Sequence, residues 1–418
     1  MTDPTSSDPT SSDPTSSGPE PTALSPPDPS GAGIALTVAT LRDDVRRRIA
    51  AVQRLMAARD VAVLVVVGDG SPNGTAGVRY LSNARAWAGP LHAVLDGADP
   101  DPWVLSHSSY QARWTAAGTT TRPERIDAPA DVIGRVAALA RERAGPARRI
   151  GVVGLPRMAL ADHAGLRDRL PGFDLVDLTP PFDALRRVKS PFEIAAFREN
   201  GVLLSQAMGA FADAARIGVP YARACAQAEL PLKARGAFWG RSKVSFGLSP
   251  MTVPPEPDRP MADGDAFTFE LVYESPWGYW TEMTTHFAFG GFPDAFRALF
   301  DAYWAAFEAG CALARPGTTQ GDIAAAADAA LAARGYAVAG KHTPDCHSIG
   351  LDGGDGPNAI ADPAFPLVED MVLSLHPGAE LAGGRALLVS DNVRVTPRGG
   401  ERLSPHDAAR RLVSLPLR

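Results

Sequence analysis

Apolar and polar residues are arranged in three different ways along this chain, and each arrangement indicates a different kind of structure. Residues 1–35 hold few apolar side chains and repeat Asp-Pro-Thr-Ser-Ser three times. We expect a disordered tail there, because no buried surface would offset the entropy of ordering it. In residues 36–180, helical apolar spacing alternates with short apolar runs, which is typical of a three-layer α/β domain. In residues 181–418, long helical patterns and antiparallel strand pairs predict an α+β domain.

The same spacing predicts the individual elements of both domains. In the first domain, helices are predicted in VATLRDDVRRRIAAVQRLMAARD and PADVIGRVAALARERAG, and buried strands in VAVLVVVGDG and RRIGVVGL. The stretch VRYLSNARAWAGPLHAVLDGADPDPWVLSH predicts further strands. In the second domain, the pattern predicts helices at 191–216, 220–235, 294–314 and 319–335, and strand pairs around 265–290 and 371–396.

Composition narrows the class of protein. The formal charge is −6 and 45% of the residues are hydrophobic, so we expect neither a nucleic-acid partner nor an anionic membrane partner. The sequence contains no apolar run long enough to cross a bilayer and no N-terminal signal sequence. The three cysteines are too scattered for a disulfide framework, so the expected location is the reducing cytoplasm.

Four titratable residues stand out in the second domain. The stretch FTFELVYESPWGYWTEMTTHFAFGG alternates like two strands joined by a turn, with Glu270 on the first strand and Glu282 on the second. His347 and His376 follow in DCHSIGLDGGDGPN and VLSLHPGAE. Carboxylates and imidazoles are the usual groups for acid–base chemistry and metal binding, so these four residues are the candidate active site.

Six motifs, in order, resemble the pita-bread family, which contains creatinases and proline-specific aminopeptidases. They are LRRVKSPFEIAAFREN, MADGDAFTFELVY, ALARPGTTQGDIAAAADAALAARGY, HSIGLDGGDGPN, DMVLSLHPGAE and SDNVRVTPRGGERLS. The resemblance covers about residues 37–418. It implies an α/β creatinase-like N-terminal domain at 36–180, an α+β pita-bread catalytic domain at 181–418, and a homodimer.

The resemblance also implies where a metal site would lie. Metallopeptidases of this family hold two divalent metals with two aspartates, a histidine and two glutamates, and the matching positions here are Glu270, Glu282, His347, His376 and Ser390. Only the histidine is unchanged. Each exchange of Asp for Glu moves the carboxylate by roughly 1.5 Å, which is large compared with the tolerance of about 0.2 Å for a metal–ligand distance. Because Ser390 is neutral, we predict that the dinuclear site does not form.

Two further family features are missing from the sequence. The histidine expected before the Gly-Asp strand is absent from MTVPPEPDRP, and the expected His-Glu pair after the glycines is replaced by Gly354 and Asp355. In the family's peptidases these histidines polarise the scissile carbonyl, as the resemblance implies. Their loss argues against peptide hydrolysis.

The favoured function is therefore hydrolysis of a carbon–nitrogen bond, in an amidine, lactam or amide of a small nitrogen-rich molecule, without metal. The resemblance is nearest to creatinase and to ectoine hydrolase, in which a Glu of a Phe-Glu-Leu strand is taken to be a nucleophile, and Glu270 stands at that position. A carboxylate can form an acyl intermediate that water then cleaves. His347 or His376 would be the general base, and Glu282 would pair with the substrate or orient a histidine.

Three alternatives remain open. Glu282, His347 and His376, with Glu270 as fourth ligand or base, would suit a single Zn, Fe or Mn ion. The chain would otherwise be a metal-dependent Xaa-Pro aminopeptidase or dipeptidase. Pita-bread domains also occur as inactive binding proteins, so a binding module is the third alternative.

Five residues are candidates for contact with the substrate, and four of them also have a plainer structural role. His286 shares a strand face with Glu282, and Tyr279 and Trp280 would provide an aromatic wall against a cation. Arg85 and Trp87 stand after a predicted Tyr-containing strand, at the place where, as the resemblance implies, one creatinase subunit reaches into its partner's site. Packing is the favoured role for Tyr279, Trp280 and Trp87, and a hydrogen-bonded strand histidine is an equal alternative for His286.

Overall fold

The computed structural model describes residues 34–356, 360–405 and 411–417. The tail predicted for residues 1–35 lies outside the described residues up to residue 33. No helix in the described ranges is both long and apolar enough to span a membrane.

The part of the chain up to Arg187 forms one sheet covered by helices. Its helices are α1 (Val38–Ala58), α2 (Ala76–Ser82), α3 (Ser109–Ala116), α4 (Val132–Arg143), α5 (Leu160–Arg169) and α6 (Thr179–Arg187). Its strands are β1 (Val63–Gly68), β2 (Leu91–Asp96), β3 (Trp103–Ser106), β4 (Ile126–Asp127), β5 (Arg149–Val153) and β6 (Asp174–Asp177). The six strands form one mixed sheet in the order β4-β3-β2-β1-β5-β6.

Both faces of this sheet are buried, as the apolar run of β1 predicts. Val63 and Val65 pack with residues of α4 and α5 on one face, while Leu64 and Val66 pack with residues of α1 and α2 on the other. Covering both faces with helices explains why β1 has no polar alternation. The three-layer α/β arrangement predicted from the sequence is confirmed.

One element of the prediction is wrong. Residues 78–82, at the start of a stretch predicted to form strands, lie in helix α2 (Ala76–Ser82). The helix is short and almost wholly buried, and a short apolar run carries no period that separates a buried strand from a buried helix. The segment 83–90 that follows is a loop, so Arg85 and Trp87 lie on a loop and do not follow a strand.

The rest of the chain is built from long helices and antiparallel strands. Its helices are α7 (Pro191–Ala214), α8 (Tyr221–Ala234), α9 (Asp294–Ala312) and α10 (Gln320–Ala332). Its strands are β7 (Gly240–Phe246), β8 (Ala266–Glu274), β9 (Trp280–Phe289), β10 (Val338–Lys341), β11 (Cys346–Ser348), β12 (Val372–Leu375), β13 (Ala379–Leu381), β14 (Asp391–Thr396), β15 (Gly399–Arg402) and β16 (Leu412–Leu415). The predicted helices and both predicted strand pairs are confirmed.

Two four-stranded sheets provide the framework of this second part. One has the order β16-β9-β8-β7 and the other β11-β12-β14-β15. They meet where β9 approaches β14, and the side-chain amide of Asn392 donates a 2.8 Å hydrogen bond to the carbonyl oxygen of Glu282. The junction therefore brings Glu282 next to strands that come much later in the sequence.

The beginning of the long helix α7 is set by local sequence. Ser190 accepts a hydrogen bond from the backbone N–H of Glu193, whose side chain accepts one from the backbone N–H of Ser190. This capping box satisfies two of the unpaired N–H groups at a helix start, and Pro191 fits the first helical position. Farther along, the ring of Phe211 stacks on Phe269 of β8 with 4.2 Å between centroids, so α7 covers the outer face of the sheet.

Candidate active site

Strands β8 and β9 present Glu270 and Glu282 on one face. The antiparallel register pairs Glu270 with Thr284 and Val272 with Glu282. Alternate residues of a strand face the same side, so the two glutamates are diagonal neighbours, about 7–8 Å apart at the backbone. Phe269 lies on the opposite face, against α7.

The two histidines reach this face from the second sheet. His347 lies on β11 and pairs with Ser374 of β12, and His376 follows the last residue of β12. Ser374 also anchors the glutamate, because its hydroxyl donates a 2.8 Å hydrogen bond to Oε2 of Glu282. The convergence depends on the junction of the two sheets.

Glu282, His347 and His376 form a compact group. Nε2 of His347 lies 3.6 Å from Oε1 of Glu282, and Nε2 of His376 lies 3.9 Å from Oε2. Each residue offers one ligand atom, and these three atoms lie within 4.8 Å of one another. The His347 side chain is 16% exposed, so solvent can reach the group.

The surroundings of these residues set their charge. Burial alone would raise the pKa of Glu282, but His347, His376 and the Ser374 hydroxyl outweigh it and hold that pKa below its usual value. Burial lowers the pKa of His376 to about 4, and His347 adds to this effect. At neutral pH the group therefore contains a carboxylate and a neutral imidazole at His376, which are the forms that bind metal.

The orientation of His347 is fixed by a hydrogen bond. Its Nδ1 lies 3.2 Å from the carbonyl oxygen of Ser348, an acceptor, so Nδ1 carries the proton and donates it. In the neutral imidazole, the lone pair is then on Nε2, the atom that points toward Glu282. A carbonyl that fixes the tautomer in this way is the common second contact of a metal-binding histidine.

Glu270 lies outside this group and is held by a lysine. Lys243 on β7 pairs directly with Glu270 in the sheet, and its Nζ lies 2.6 Å from Oε2 of Glu270. Burial raises the pKa of Glu270, while Lys243 opposes that shift. Sequence reasoning missed Lys243. Its signal was a lysine within the alternating stretch GRSKVSF, but only the strand register shows which acid it meets.

The fifth position of the predicted metal set, Ser390, offers no carboxylate to the site. Ser390 is completely buried. The neighbouring Asp391 accepts hydrogen bonds from Nε of Arg402 at 2.7 Å and from the hydroxyl of Ser404 at 2.6 Å. Asp391 is thus occupied by β15 and the residues after it, and does not replace the missing carboxylate.

Asp355, at the place of the expected His-Glu pair, is also occupied elsewhere. Its carboxylate accepts a 2.8 Å hydrogen bond from Lys189 and another from Arg186. Arg186 also donates to Asp352 at 3.0 Å. These four side chains form a buried ionic cluster between the end of α6 and the loop after β11.

The aromatic residues predicted to contact substrate are buried. Tyr279 is 1% exposed, packs against Phe197 and accepts a hydrogen bond from Arg48 of α1. Trp280 is on the strand face of Glu282 and its backbone N–H donates a 2.8 Å hydrogen bond to the carbonyl of Gly350. Of this pair, Trp280 is the one placed next to the candidate site.

The other three predicted contact residues lie in different surroundings. His286 is completely buried, and its ring lies 5.0 Å from the ring of Phe300 of α9. Arg85 donates a hydrogen bond to the carbonyl of Pro276 in the turn between β8 and β9. Trp87 is half exposed and packs edge-on against Tyr110. Contact of Arg85 or Trp87 with the substrate of a partner subunit stays a prediction.

The donor set fits one metal ion and does not fit two. Zinc bonds of about 2.0–2.1 Å space tetrahedral ligands roughly 3.3 Å apart. The three ligand atoms lie within 4.8 Å of one another, so they would have to move inward to hold one ion. A second ion would have to share Glu270 with the ammonium of Lys243 and would find Ser390 in place of a bridging carboxylate.

Comparison with known proteins agrees with this architecture. Residues 195–397 match the family model for metallopeptidase family M24. A protein of Mycobacterium tuberculosis called probable dipeptidase PepE is 29% identical over 267 residues, covering 60% of this chain and 68% of that protein. An uncharacterized hydrolase/peptidase of Sinorhizobium fredii is 24% identical over 391 residues, covering 87% and 95%.

Solved structures share the fold over nearly their whole length. The X-Pro aminopeptidase of Thermotoga maritima superimposes with a TM-score of 0.75 at 17% identity, covering 87% of this chain and 99% of that one. Dipeptidase PepE of Mycobacterium ulcerans gives a TM-score of 0.71 at 23% identity, covering 90% and 99%. The predicted nearness to creatinase and ectoine hydrolase stays a prediction. The family match over residues 195–397 and the shared fold support the pita-bread architecture of metallopeptidase family M24 for this chain.

Proposed function

We propose that this member of the M24 hydrolases cleaves a carbon–nitrogen bond in a small polar molecule, with one divalent cation held by Glu282, His347 and His376. The observation that carries this proposal is the group of three ligand atoms within 4.8 Å of one another. Two imidazoles and one carboxylate suit zinc, iron or manganese.

The proposal differs from the metal-free mechanism favoured by the sequence because of the position of Glu270. Covalent attack would require the Glu270 carboxylate to leave Lys243 and bond to the substrate carbon, but Glu270 is 3% exposed and paired with Lys243. Proton transfer to a hydrogen-bonded water requires no such movement. His347, in contrast, keeps its Nε2 lone pair directed at Glu282. The arrangement supports a ligand group better than a covalent nucleophile.

The residues of the site would divide the work as follows. A bound divalent ion would polarise the substrate carbonyl and make a water molecule more acidic. Ser374 holds Glu282 in its orientation, and the Ser348 carbonyl holds His347. Glu270 would accept the proton of the attacking water at its carboxylate and deliver it to the departing nitrogen as the carbon–nitrogen bond breaks.

Two observations support the bond type and the substrate size. The relatives named above are called dipeptidase and X-Pro aminopeptidase, and both names denote cleavage of a carbon–nitrogen bond. Asp355, however, is bound to Arg186 and Lys189, and Gly354 beside it has no side chain. Because those positions cannot polarise a peptide carbonyl, we propose a small amide, lactam or amidine as the substrate class.

A second candidate is a metal-dependent dipeptidase. The 29% identity to probable dipeptidase PepE over 267 residues favours it. It would have to work with fewer acidic ligands than the two-metal arrangement that the sequence resemblance implies.

Metal content tests the proposal. Purified wild-type protein, analysed by inductively coupled plasma mass spectrometry after exposure to Zn, Fe or Mn, should contain one ion per chain. Glu282→Gln removes the charged ligand between the two histidines and should lower the bound metal at least tenfold, together with hydrolysis of a panel of amides, lactams and amidines. The exposed Glu369→Gln, on the loop before β12, is the matched control and should retain both.

Two other outcomes would favour a different function or mechanism over the one-ion hydrolase. Two ions per chain with turnover of Xaa-Pro dipeptides would favour the dipeptidase. Turnover by metal-free protein, with an acyl adduct in the mass of wild type and not of Glu270→Gln, would restore the nucleophilic mechanism.

A further inference from the structure

We infer that the ammonium group of Lys243 is a permanent second cation of this site, which holds Glu270 in place of a second metal ion. The inference rests on the proposed one-ion group and concerns a residue outside it. It explains why two glutamates share one face while only one of them joins the histidines.

The strand register places Lys243 where it can do this. Lys243 of β7 lies directly opposite Glu270 of β8, so both side chains project from the same face of the sheet. Nζ lies 2.6 Å from Oε2 of Glu270, so the two groups form a close ion pair. The Lys243 side chain is 23% exposed and that of Glu270 is 4% exposed.

Burial makes a positive partner necessary for Glu270. A carboxylate taken out of water must be paired or must become protonated. Thr252 donates a hydrogen bond to Glu270, but a hydroxyl brings no charge. Among the described residues, Lys243 is the cationic partner of Glu270.

The same ammonium group takes the place of a metal ion at Oε2 of Glu270. An ion bound to that carboxylate would lie about 2.0–2.2 Å from its oxygen, and Nζ already occupies the space 2.6 Å from Oε2. The field of Lys243 also extends to Glu282 and contributes to lowering its pKa. The ammonium of Lys243 therefore pairs with Glu270, and a single divalent ion would pair with Glu282.

A fixed cation changes what the site can exchange. A metal ion at Glu270 would be removed by a chelator, whereas a lysine cannot leave. The protein should therefore have one chelatable cation, and Glu270 should keep its position when that ion is removed.

Removing the lysine charge tests the inference. In full-length Lys243→Met, Glu270 lacks a cation and should recruit one, so manganese or zinc titrated by isothermal calorimetry should bind at two sites per chain, compared with one in wild type. The melting temperature of the variant should also rise more on adding manganese than that of wild type. Lys243→Met/Glu270→Gln removes both charges and should return to one ion.

Two controls separate the charge from other effects of substitution. Lys233→Met removes a lysine whose Nζ donates to the carbonyl of Phe238, and it should keep one ion. Should Lys243→Met be insoluble, Lys243→Gln replaces it, because glutamine can still donate a hydrogen bond to Glu270.

The outcomes for the two claims are distinct. One ion in both wild type and Lys243→Met would overturn the role of Lys243 and leave the one-ion site intact. No ion in wild type would overturn the proposed function, and a gain of one ion in Lys243→Met would then still support the role of Lys243. Two ions in wild type would overturn both.

Discussion

Three histidines on the two sheets show how surroundings give one side chain different chemistry. His347 donates from Nδ1 to a carbonyl and presents Nε2 to Glu282. His376 presents its own Nε2 to the same carboxylate and stays neutral because it is buried. His286 packs against the apolar rings of Phe296 and Phe300 of α9.

His286 should make the folded protein sensitive to acid. Burial lowers the pKa of His286 from 6.5 to about 3. Between these values the unfolded chain takes up a proton that the folded chain does not, so the free energy of unfolding falls as the pH falls. The slope is at most about 1.4 kcal/mol per pH unit from this residue.

Replacing His286 with a side chain that does not titrate should remove this contribution. Urea unfolding of His286→Gln between pH 4.5 and 6.5 should show a pH dependence shallower than that of wild type by up to that slope. Above pH 7.5 histidine is neutral in both states, so the two curves should run parallel there. Equal slopes at acidic pH would show that His286 is protonated in the folded protein.

The candidate residues could be found from the sequence, but their partners could not. Glu282, His347 and His376 were identified by residue type and order, and the structure brings their ligand atoms together. Lys243 was missed because its meaning depends on the β7–β8 register, which no local pattern specifies. The partner of Tyr279 was missed for the same reason, since Arg48 is far away in the sequence.

At the scale of elements, the β8–β9 hairpin depends on its turn. Gly278 in that turn has a φ of +94°, which favours glycine. A Cβ built there would lie 1.6 Å from Nη2 of Arg79. Arg79 is buried and pairs with Glu274, the last residue of β8, at 2.9 Å. The turn therefore leaves room for a cation that neutralises a buried acid.

Gly278→Ala should destabilise the protein for two reasons. The positive φ costs roughly 1–3 kcal/mol for a residue with a side chain, and the clash would displace Arg79 from Glu274. Gly383→Ala is the matched control, because Gly383 has a φ of +80° and open space around its Cβ position. In urea unfolding, Gly278→Ala should cost at least about 1 kcal/mol more than the control. An equal cost would mean that Arg79 moves without penalty.

The elements themselves were largely predictable. Helix α7 begins at a capping box that the sequence SPFE contains, and the alternation of residues 267–291 gave the hairpin. Helix α2 was not predictable, because nearly all its residues are buried and its apolar positions show no period.

At the scale of the whole molecule, buried charges hold separate segments together. Arg186 at the end of α6 and Lys189 just after it bind Asp355 in the loop after β11. Lys189 and Asp355 are each 1% exposed in their side chains. Removing one partner of such a pair leaves an uncompensated buried charge, which typically costs about 3–5 kcal/mol.

Asp355→Asn should therefore be strongly destabilising, by roughly 3 kcal/mol or more in urea unfolding at pH 7. Asp362→Asn changes an exposed aspartate of the same region and should cost less than about 0.5 kcal/mol. The remaining folded Asp355→Asn protein should still bind one metal ion, since Asp355 is not a ligand. A cost as small as that of the control would show that water replaces the carboxylate.

The predicted division into residues 36–180 and 181–418 stays a prediction, and the contacts across it were not foreseeable. Arg79–Glu274 and Arg48–Tyr279 join elements whose sequences indicate only a helix or a strand. Such long-range pairs depend on how the elements pack, and the spacing of apolar residues along the sequence does not predict that packing.

The contacts that hold the β8–β9 hairpin determine where the chain could be truncated. Three arginines contact the hairpin near its turn: Arg48 of α1, Arg79 of α2 and Arg85 of the loop after α2. All three precede residues 195–397, which match the M24 family model. In a truncated protein that begins near residue 195, the buried Glu274 would lose both of its arginine partners, Arg79 and Arg85. The N-terminal part of the chain thus stabilises the strands that bear the two glutamates, and we expect residues from about 195 onward to be unstable without it.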